Sequence, residues 1–381
     1  MKNPFFYGQA ATGEYFTNRQ EEIKALSSDL ARSQNVIIFS PRRYGKTSLI
    51  KKTLGLLKQK DVLTFYVDLY ALTSKKKFIE IFARAIAQEL ETDLNKLARL
   101  LQNLLPRILP KLIIKNKGLP ELEFDFKGTA KNITASLSDI YEAIPKHIKK
   151  KKKKAVVVFD EFQEIMNLED EEIERTLRSH IQFHHDVSYV FMGSKKHLMT
   201  KLFNDPNRPF YKSGRLFPLK KIRPEDFAKF ISARLAKSRI KIERKLVLEI
   251  LEVTECHPYY TQLFCSVLWE RSLDKGKIEK IDLDKALTET ISRSASIYVE
   301  IFDNLTNLQR KFLEALAKGP TNNLYSKDFI LENELGAPSS IQRSLKSLVQ
   351  KGILEKENGL YLFSDIFFRK WLASLRQNSY E

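Results

Sequence analysis

The chain reads as an α/β protein: a parallel sheet with helices on both faces, followed by a helical region and a small C-terminal domain. Three observations carry this. A short apolar run, Asn35–Phe39, passes through a tight polar loop into a helical stretch that begins near Leu49. A second apolar run, Ala155-Val156-Val157-Val158-Phe159, stops at Asp160-Glu161. Further β-branched and aromatic runs at Val62–Leu69 and Val187–Met192 alternate with segments whose apolar residues recur at helical spacing. Strand-helix alternation of this kind builds parallel sheets with crossover helices.

The loop after the first run is Ser40-Pro41-Arg42-Arg43-Tyr44-Gly45-Lys46-Thr47-Ser48. Strand, tight loop, Gly-Lys-Thr and helix form the physical recipe for gripping a polyphosphate: backbone N–H groups converge on the anion, and the helix N-terminus adds partial positive charge. In this arrangement Lys46 reaches the β- and γ-phosphates and the Thr47 hydroxyl holds Mg²⁺. The first Gly of the G-x-x-x-x-G-K-[ST] pattern is replaced by Ser40. The acidic strand end completes a Walker pair, with Asp160 supporting the Mg²⁺ and Glu161 polarising the attacking water.

These residues resemble the archaeal-type ATPase family, in the STAND branch of the AAA+ superfamily of P-loop NTPases. The resemblance is carried by Tyr15-Phe16-Thr17-Asn18-Arg19-Gln20-Glu21-Glu22, Pro41–Ser48, Phe159-Asp160-Glu161-Phe162-Gln163, Met192-Gly193-Ser194, His257-Pro258-Tyr259-Tyr260 and Phe367-Phe368-Arg369-Lys370-Trp371-Leu372. It implies ATP or ADP as ligand, Mg²⁺ as cofactor, and the whole loop from Pro41 to Ser48 around the phosphates. It also implies adenine contacts from Phe16 and Arg19, although Phe16 could equally staple the first helix and Asn18 cap it. Ser194, after the strand expected between the two Walker strands, fits a sensor reaching the attacking water; capping the helix Lys195–Phe203 is an equal reading. His257 and Pro258 resemble a lid motif that packs on nucleotide, with Cys256 in place of its Gly; otherwise Pro258 simply starts a helix.

Composition bounds the rest. The chain has 381 residues, 43% apolar, with a net charge of +18 and two cysteines, Cys256 and Cys265. So few cysteines point to a reducing compartment, and no apolar run approaches the ~20 residues that span a bilayer. With no signal-like N-terminus, the chain is expected to be soluble and cytoplasmic, without a membrane partner. The positive charge concentrates in 146–154, with seven lysines and no acid, and in 220–245, with ten basic and three acidic residues. Such stretches suit a DNA backbone or are solvated loops.

Along the chain, Lys75–Leu105 reads as one long helix or a broken pair, then Pro106, Pro110 and Pro120 interrupt it. Residues 96–130 stand as an insertion, with a short alternating strand at Leu122–Phe126. Helices are expected over Lys131–Ile148 and Glu169–Phe183. The adjacent His184-His185 lacks Cys or carboxylates at ligand spacing and is not read as a metal site. The turn-rich loop 204–215 offers Arg208 and Arg215; either could stabilise a γ-phosphate or form a surface salt bridge. Leu216–Leu219 closes the sheet.

The expected domains are an ATPase core over 1–222, a helical lid over 223–303 with helices near 224–238, 243–253, 257–273 and 281–300, and a winged helix over 304–381. The third helix of that last domain offers Ser340, Gln342, Arg343 and Lys346 to a major groove. From residue 304 onward, however, eleven basic residues face eight acidic ones, so a protein partner is the competing reading. The expected function is an ATP-binding and ATP-hydrolysing switch whose nucleotide state sets the orientation of lid and winged helix. The alternative is a non-enzymatic, nucleotide-stabilised regulator that binds DNA or protein. Oligomerisation is compatible with either.

Overall fold

The structure is a computed structural model that describes residues 1–90, 101–114, 120–126, 130–168, 171–319, 323–357 and 359–377. The chain divides into two compact units, Ala10–Lys220 and Met1–Gln9 with Lys221–Glu381.

The first unit is built on five strands: β1 (Val36–Phe39), β2 (Leu63–Asp68), β5 (Ala155–Asp160), β6 (Val187–Gly193) and β7 (Arg215–Pro218). They pair in the order β2-β5-β6-β1-β7, every neighbour parallel. Phe39 is in register with Gly193, and Asp160 with Asp68. All strand C-termini therefore meet at one end of the sheet, where open parallel sheets bind their ligands. Parallel pairs need crossovers, supplied by α2 (Lys46–Lys58), α3 (Lys75–Leu90), α4 (Ala130–Lys151), α5 (Glu172–Ile181) and α6 (Lys196–Asn204), with α1 (Gln20–Ala31) preceding β1.

Alternation along the strands gives the sheet two different faces. Ile37, Phe65, Val67, Val157, Phe159, Tyr189 and Phe191 point into one cluster with α3, α4, α5 and α6. Val36, Ile38, Val156, Val158, Val190 and Met192 point into another with α1 and α2. The first face is strongly aromatic, with Phe162 4.6 Å from Phe191 and Phe159 stacked 5.8 Å from Phe191. Burying both faces explains why these strands read as unbroken apolar runs.

Of the stretch Lys75–Leu105, expected as one helix or a broken pair, α3 covers Lys75–Leu90 and residues 101–104 are helical with Leu101 and Leu104 buried; 91–100 lie outside the described residues. Of the 96–130 insertion, 96–100, 115–119 and 127–129 lie outside the described residues, as do 169–170 of the expected 169–183 helix and position 358 of the wing turn. The rest of the insertion is a two-stranded antiparallel ribbon, β3 (Ile108–Ile114) with β4 (Pro120–Phe126). Pro110 sits within β3, because a two-stranded ribbon leaves one edge of each strand unpaired.

In the second unit the helices are α7 (Pro224–Lys237), α8 (Arg244–Val253), α9 (Pro258–Ser272), α10 (Lys280–Ser292) and α11 (Ala295–Asp303). The single helix expected over 281–300 is interrupted at Arg293-Ser294. Then follow α12 (Asn307–Ala317), α13 (Lys327–Glu332), α14 (Pro338–Gln350), the hairpin β8 (Leu354–Glu357) and β9 (Leu360–Phe363), and α15 (Ile366–Gln377). Three helices and a hairpin make a winged helix. Thr306 and Gln309 form a capping box at the start of α12, and Ser326 caps α13.

Two expectations on domain limits change. The core does not begin at residue 1: Phe5 is buried in the second unit's cluster, and Asn3 Nδ2 donates to Ser266 Oγ at 2.8 Å. Residues 223–303 and 304–381 also share one apolar core rather than two. Tyr260 lies edge-on to Phe367 at 5.5 Å, and its hydroxyl donates to the Ser364 carbonyl at 3.1 Å. Tyr298 packs on Phe368 and Trp371. Among the described residues, no helix is long and apolar enough to cross a membrane.

Candidate functional site

The loop between β1 and α2 has its left-handed residues at Arg43 and Gly45, not at Ser40. Ser therefore substitutes for the first Gly of the pattern without backbone strain, whereas Gly45, with φ of 89°, needs its freedom. Lys46 is buried, and its Nζ donates to the carbonyls of Ser40 at 2.8 Å and Pro41 at 3.0 Å. The loop thus curls around the ammonium. The other loop side chains divide. Arg42 and Arg43 are exposed, while the Tyr44 ring is buried in the aliphatic core cluster. Ser48 is also buried, and its hydroxyl accepts from the Ala11 N–H at 2.9 Å. Tyr44 and Ser48 thus shape the loop from behind and do not present their side chains to a ligand.

Two carboxylates face this loop from β5. Asp160 Oδ2 accepts from Thr47 Oγ1 at 3.3 Å and from the Tyr66 hydroxyl. Burial pushes the Asp160 carboxyl above its ordinary range, with the neighbouring Glu161 and Asp68 charges adding to the shift. Burial and the Asp160 charge likewise raise the Tyr66 phenol, keeping it a donor. Glu161 follows the strand in a left-handed conformation, φ 51°. Such strain in a non-Gly residue is stored where surrounding contacts enforce it. Here Glu161 Oε2 accepts from Ser194 Oγ at 2.7 Å and from Gln163 Nε2 at 2.5 Å. Because β6 lies between β1 and β5, Ser194 arrives beside the carboxylate. Ser194 makes no cap hydrogen bond to α6, whose N-cap is Lys195.

The two arginines do not join this cluster. Arg208 Nη1 pairs with Glu171 at 2.8 Å and Nη2 with Glu174 in the first turn of α5, its side chain 12% exposed. Arg215 begins β7 opposite Val36 and pairs with Asp29 at 2.5 Å. That is the strand's amino end, three residues before Phe39 and on the far side from the loop. In this chain both arginines sit in salt bridges away from the Lys46–Glu161 cluster.

Arg19 is likewise committed. Its guanidinium donates to Glu22 at 2.8 Å and to the Lys220 carbonyl at 2.6 Å, tying the start of α1 to the chain leaving β7. It also occupies the N-cap of α1 with φ of 70°, the place expected for Asn18. Phe16 is half-buried against the aliphatic cluster. In the second unit, His257 caps α9, accepting from the Tyr259 N–H at 3.2 Å, and Pro258 is the first helical residue. Cys256, at the motif's Gly position, has φ of 53°, the conformation that favours Gly there. The Asp68 carboxylate accepts from the Tyr70 N–H at 3.0 Å, a turn contact.

Three residues here had no role assigned from sequence. Tyr66 sits one alternation before Asp68 on β2, so its face was legible but its partner on β5 was not. Gln163 and Gly193 act together: a Cβ at Gly193 would come within 2.4 Å of Gln163 Oε1. Gly193 thus makes room for the amide that holds Glu161.

Comparison with known proteins fits this geometry. Residues 16–205 match the model of an ATPase domain predominantly from Archaea, and residues 296–374 match that of a probable winged helix domain. No match is found among curated proteins. Among solved structures, a Walker-type ATPase of Pyrococcus abyssi is similar at 17% identity, over 94% of this chain and 96% of that one, with a TM-score of 0.62. The ORC2 protein of Aeropyrum pernix, solved in ADPNP-ADP complexes, is similar at 14% identity, over 94% and 93%, with a TM-score of 0.59. A loop built for phosphate, an acidic strand end beside it and this strand order lead to one conclusion: residues 16–205 are an ATPase domain of the family found predominantly in Archaea, followed in the same chain by a winged helix domain.

Proposed function

We propose that the protein binds ATP with Mg²⁺ at the β1–α2 loop and hydrolyses it, using the nucleotide state as a switch read out through its C-terminal unit. One observation carries this: Thr47 and Asp160 share an oxygen contact of 3.3 Å, and Glu161 is aimed by Ser194 at 2.7 Å. A hydroxyl and a buried carboxylate form an all-oxygen donor set that suits Mg²⁺, and burial alone makes the Asp160 charge costly without a cation. Bound there, the cation would neutralise charge on the phosphate oxygens. Lys46 holds the phosphates, Asp160 and Thr47 hold the metal, and Glu161 accepts a proton from the attacking water. Ser194 and Gln163 orient Glu161 while it does so.

ATP hydrolysis by the parent chain, Lys46→Ala and Glu161→Gln tests this, with and without duplex DNA. The expected result is nucleotide binding without turnover in Glu161→Gln and loss of binding in Lys46→Ala. Parent-rate hydrolysis by Glu161→Gln would remove the assigned role.

A second reading, DNA association, is supported by exposed Lys149, Lys150 and Lys151 at the end of α4 and by exposed Gln342, Arg343 and Lys346 on α14. Lys153 and Lys154 contribute less, being engaged with Asp61 and the Ala31 carbonyl. Duplex binding that weakens with salt, and weakens further in the full chain carrying Arg343→Glu and Lys346→Glu, is the expected outcome. Binding unaffected by those changes would turn the winged helix toward a protein partner.

A further inference from the structure

At the amino end of the sheet, three side chains from separate segments converge. Glu142 comes from the middle of α4, His180 from the last turn of α5, and His184 from the turn that leads into β6. His180 Nδ1 lies 2.6 Å from Glu142 Oε1, and His184 Nε2 lies 3.1 Å from that same oxygen. The three donor atoms all fall within 4.8 Å of one another. His184 precedes β6 while Ser194 follows it, so this cluster and the phosphate loop lie roughly 20 Å apart along the strand.

Two imidazole nitrogens and one carboxylate oxygen form a donor set that binds Zn²⁺ and leaves a position open for water. A carboxylate holding two histidines by hydrogen bonds alone could receive one on each oxygen. Here both rings approach one oxygen, which gathers the three ligand atoms within 4.8 Å of one another. The ring of His184 is also fixed from behind. Its side chain is 4% exposed, and its Nδ1 lies 2.7 Å from the Tyr189 hydroxyl. An outer hydrogen bond on the second nitrogen is what orients a metal-bound histidine and sets its tautomer. Tetrahedral coordination at 2.0–2.2 Å places donors about 3.3 Å apart. The two nitrogen–oxygen separations need only sub-ångström retreat of the carboxylate to reach that value.

We propose that Glu142, His180 and His184 bind a divalent cation of the zinc class, distinct from the nucleotide's Mg²⁺, and that this ion clamps α4 to the turn before β6. The sequence concealed it because Glu142 stands 38 residues before His180. His184-His185 alone offered no carboxylate partner.

The test uses the full chain stripped with a chelator and then titrated with ZnCl₂ or CoCl₂. Expected are one ion bound per chain, a higher melting temperature with Zn²⁺, and visible Co²⁺ bands of a four- or five-coordinate nitrogen–oxygen site. Glu142→Gln and His180→Ala should each weaken binding at least tenfold. The melting temperature of each variant without metal reports whether it folds. His184 is too buried for its variant to decide the matter, so X-ray absorption of the Zn²⁺-loaded parent chain supplies a measurement free of substitutions. Two imidazoles in the metal shell support the site. Fewer than two, no stoichiometric binding, or unchanged affinity in folded variants would overturn it.

Discussion

The two ends of the five-stranded sheet hold their carboxylates in different ways. At the carboxyl end, Asp160 is held by the hydroxyls of Thr47 and Tyr66, and Glu161 by the hydroxyl of Ser194 and the amide of Gln163. At the amino end, Asp29 is held by Arg215 and Asp61 by Lys153. Neutral donors aim a carboxylate without neutralising it, so its charge stays available to an arriving cation or proton. Cationic partners spend that charge on structure. The difference lets one sheet carry a reactive end and a braced end.

The largest effect that would break this contrast is on turnover. Glu161→Gln should lower the ATP hydrolysis rate by about 10²-fold or more with the melting temperature unchanged; a parallel loss of stability would mean that Glu161 is a structural group after all. Gly193→Ala should come next. Its Cβ would press on Gln163 Oε1 and Met199 Sδ, each within 2.4 Å, disturbing the amide that holds Glu161, and turnover should fall about tenfold or more while nucleotide affinity is kept. Equilibrium binding of a fluorescent ATP analogue separates the two.

Glu174 sharpens the comparison through pH. Burial pushes its carboxyl up to about 7, although Arg208 pulls the other way. A carboxyl with a raised folded pKa favours the protonated native state. Its cost to stability is therefore absent below the unfolded value near 4.5, grows as pH rises, and is complete above about 7. Urea unfolding of the parent chain and Glu174→Gln should show their difference changing by on the order of 2–3 kcal/mol across that window; a flat difference would refute the shift. Tyr66→Phe should cost about 1 kcal/mol, because Asp160 keeps its Thr47 contact. Smallest of all, Arg215→Gln should change stability by less than about 1 kcal/mol and leave turnover alone, since that pair is half-exposed at the braced end.

Local signals were enough to read the phosphate loop, the acidic strand end and the helix starts at Pro224, Pro258 and Pro338, because each depends on neighbours in the chain. Charge and turn composition in 204–215 left the arginines open, since a guanidinium suits a phosphate and a carboxylate equally well. Only the positions of Glu171, Glu174 and Asp29 settled where they went. The same holds for Arg19, whose partner Lys220 is 201 residues away.

The sequence by itself determined that a strand, a loop and a helix would present Gly45-Lys46-Thr47, and that a buried strand would end in Asp160-Glu161. Backbone conformation, helix capping and apolar periodicity are short-range, so they are written residue by residue. Which groups meet was decided by the strand order β2-β5-β6-β1-β7 and by the crossovers that set Glu142 beside His180 and Ser194 beside Glu161. Those pairings depend on burying two faces of one sheet at once, a cooperative outcome of packing that no single stretch of chain contains.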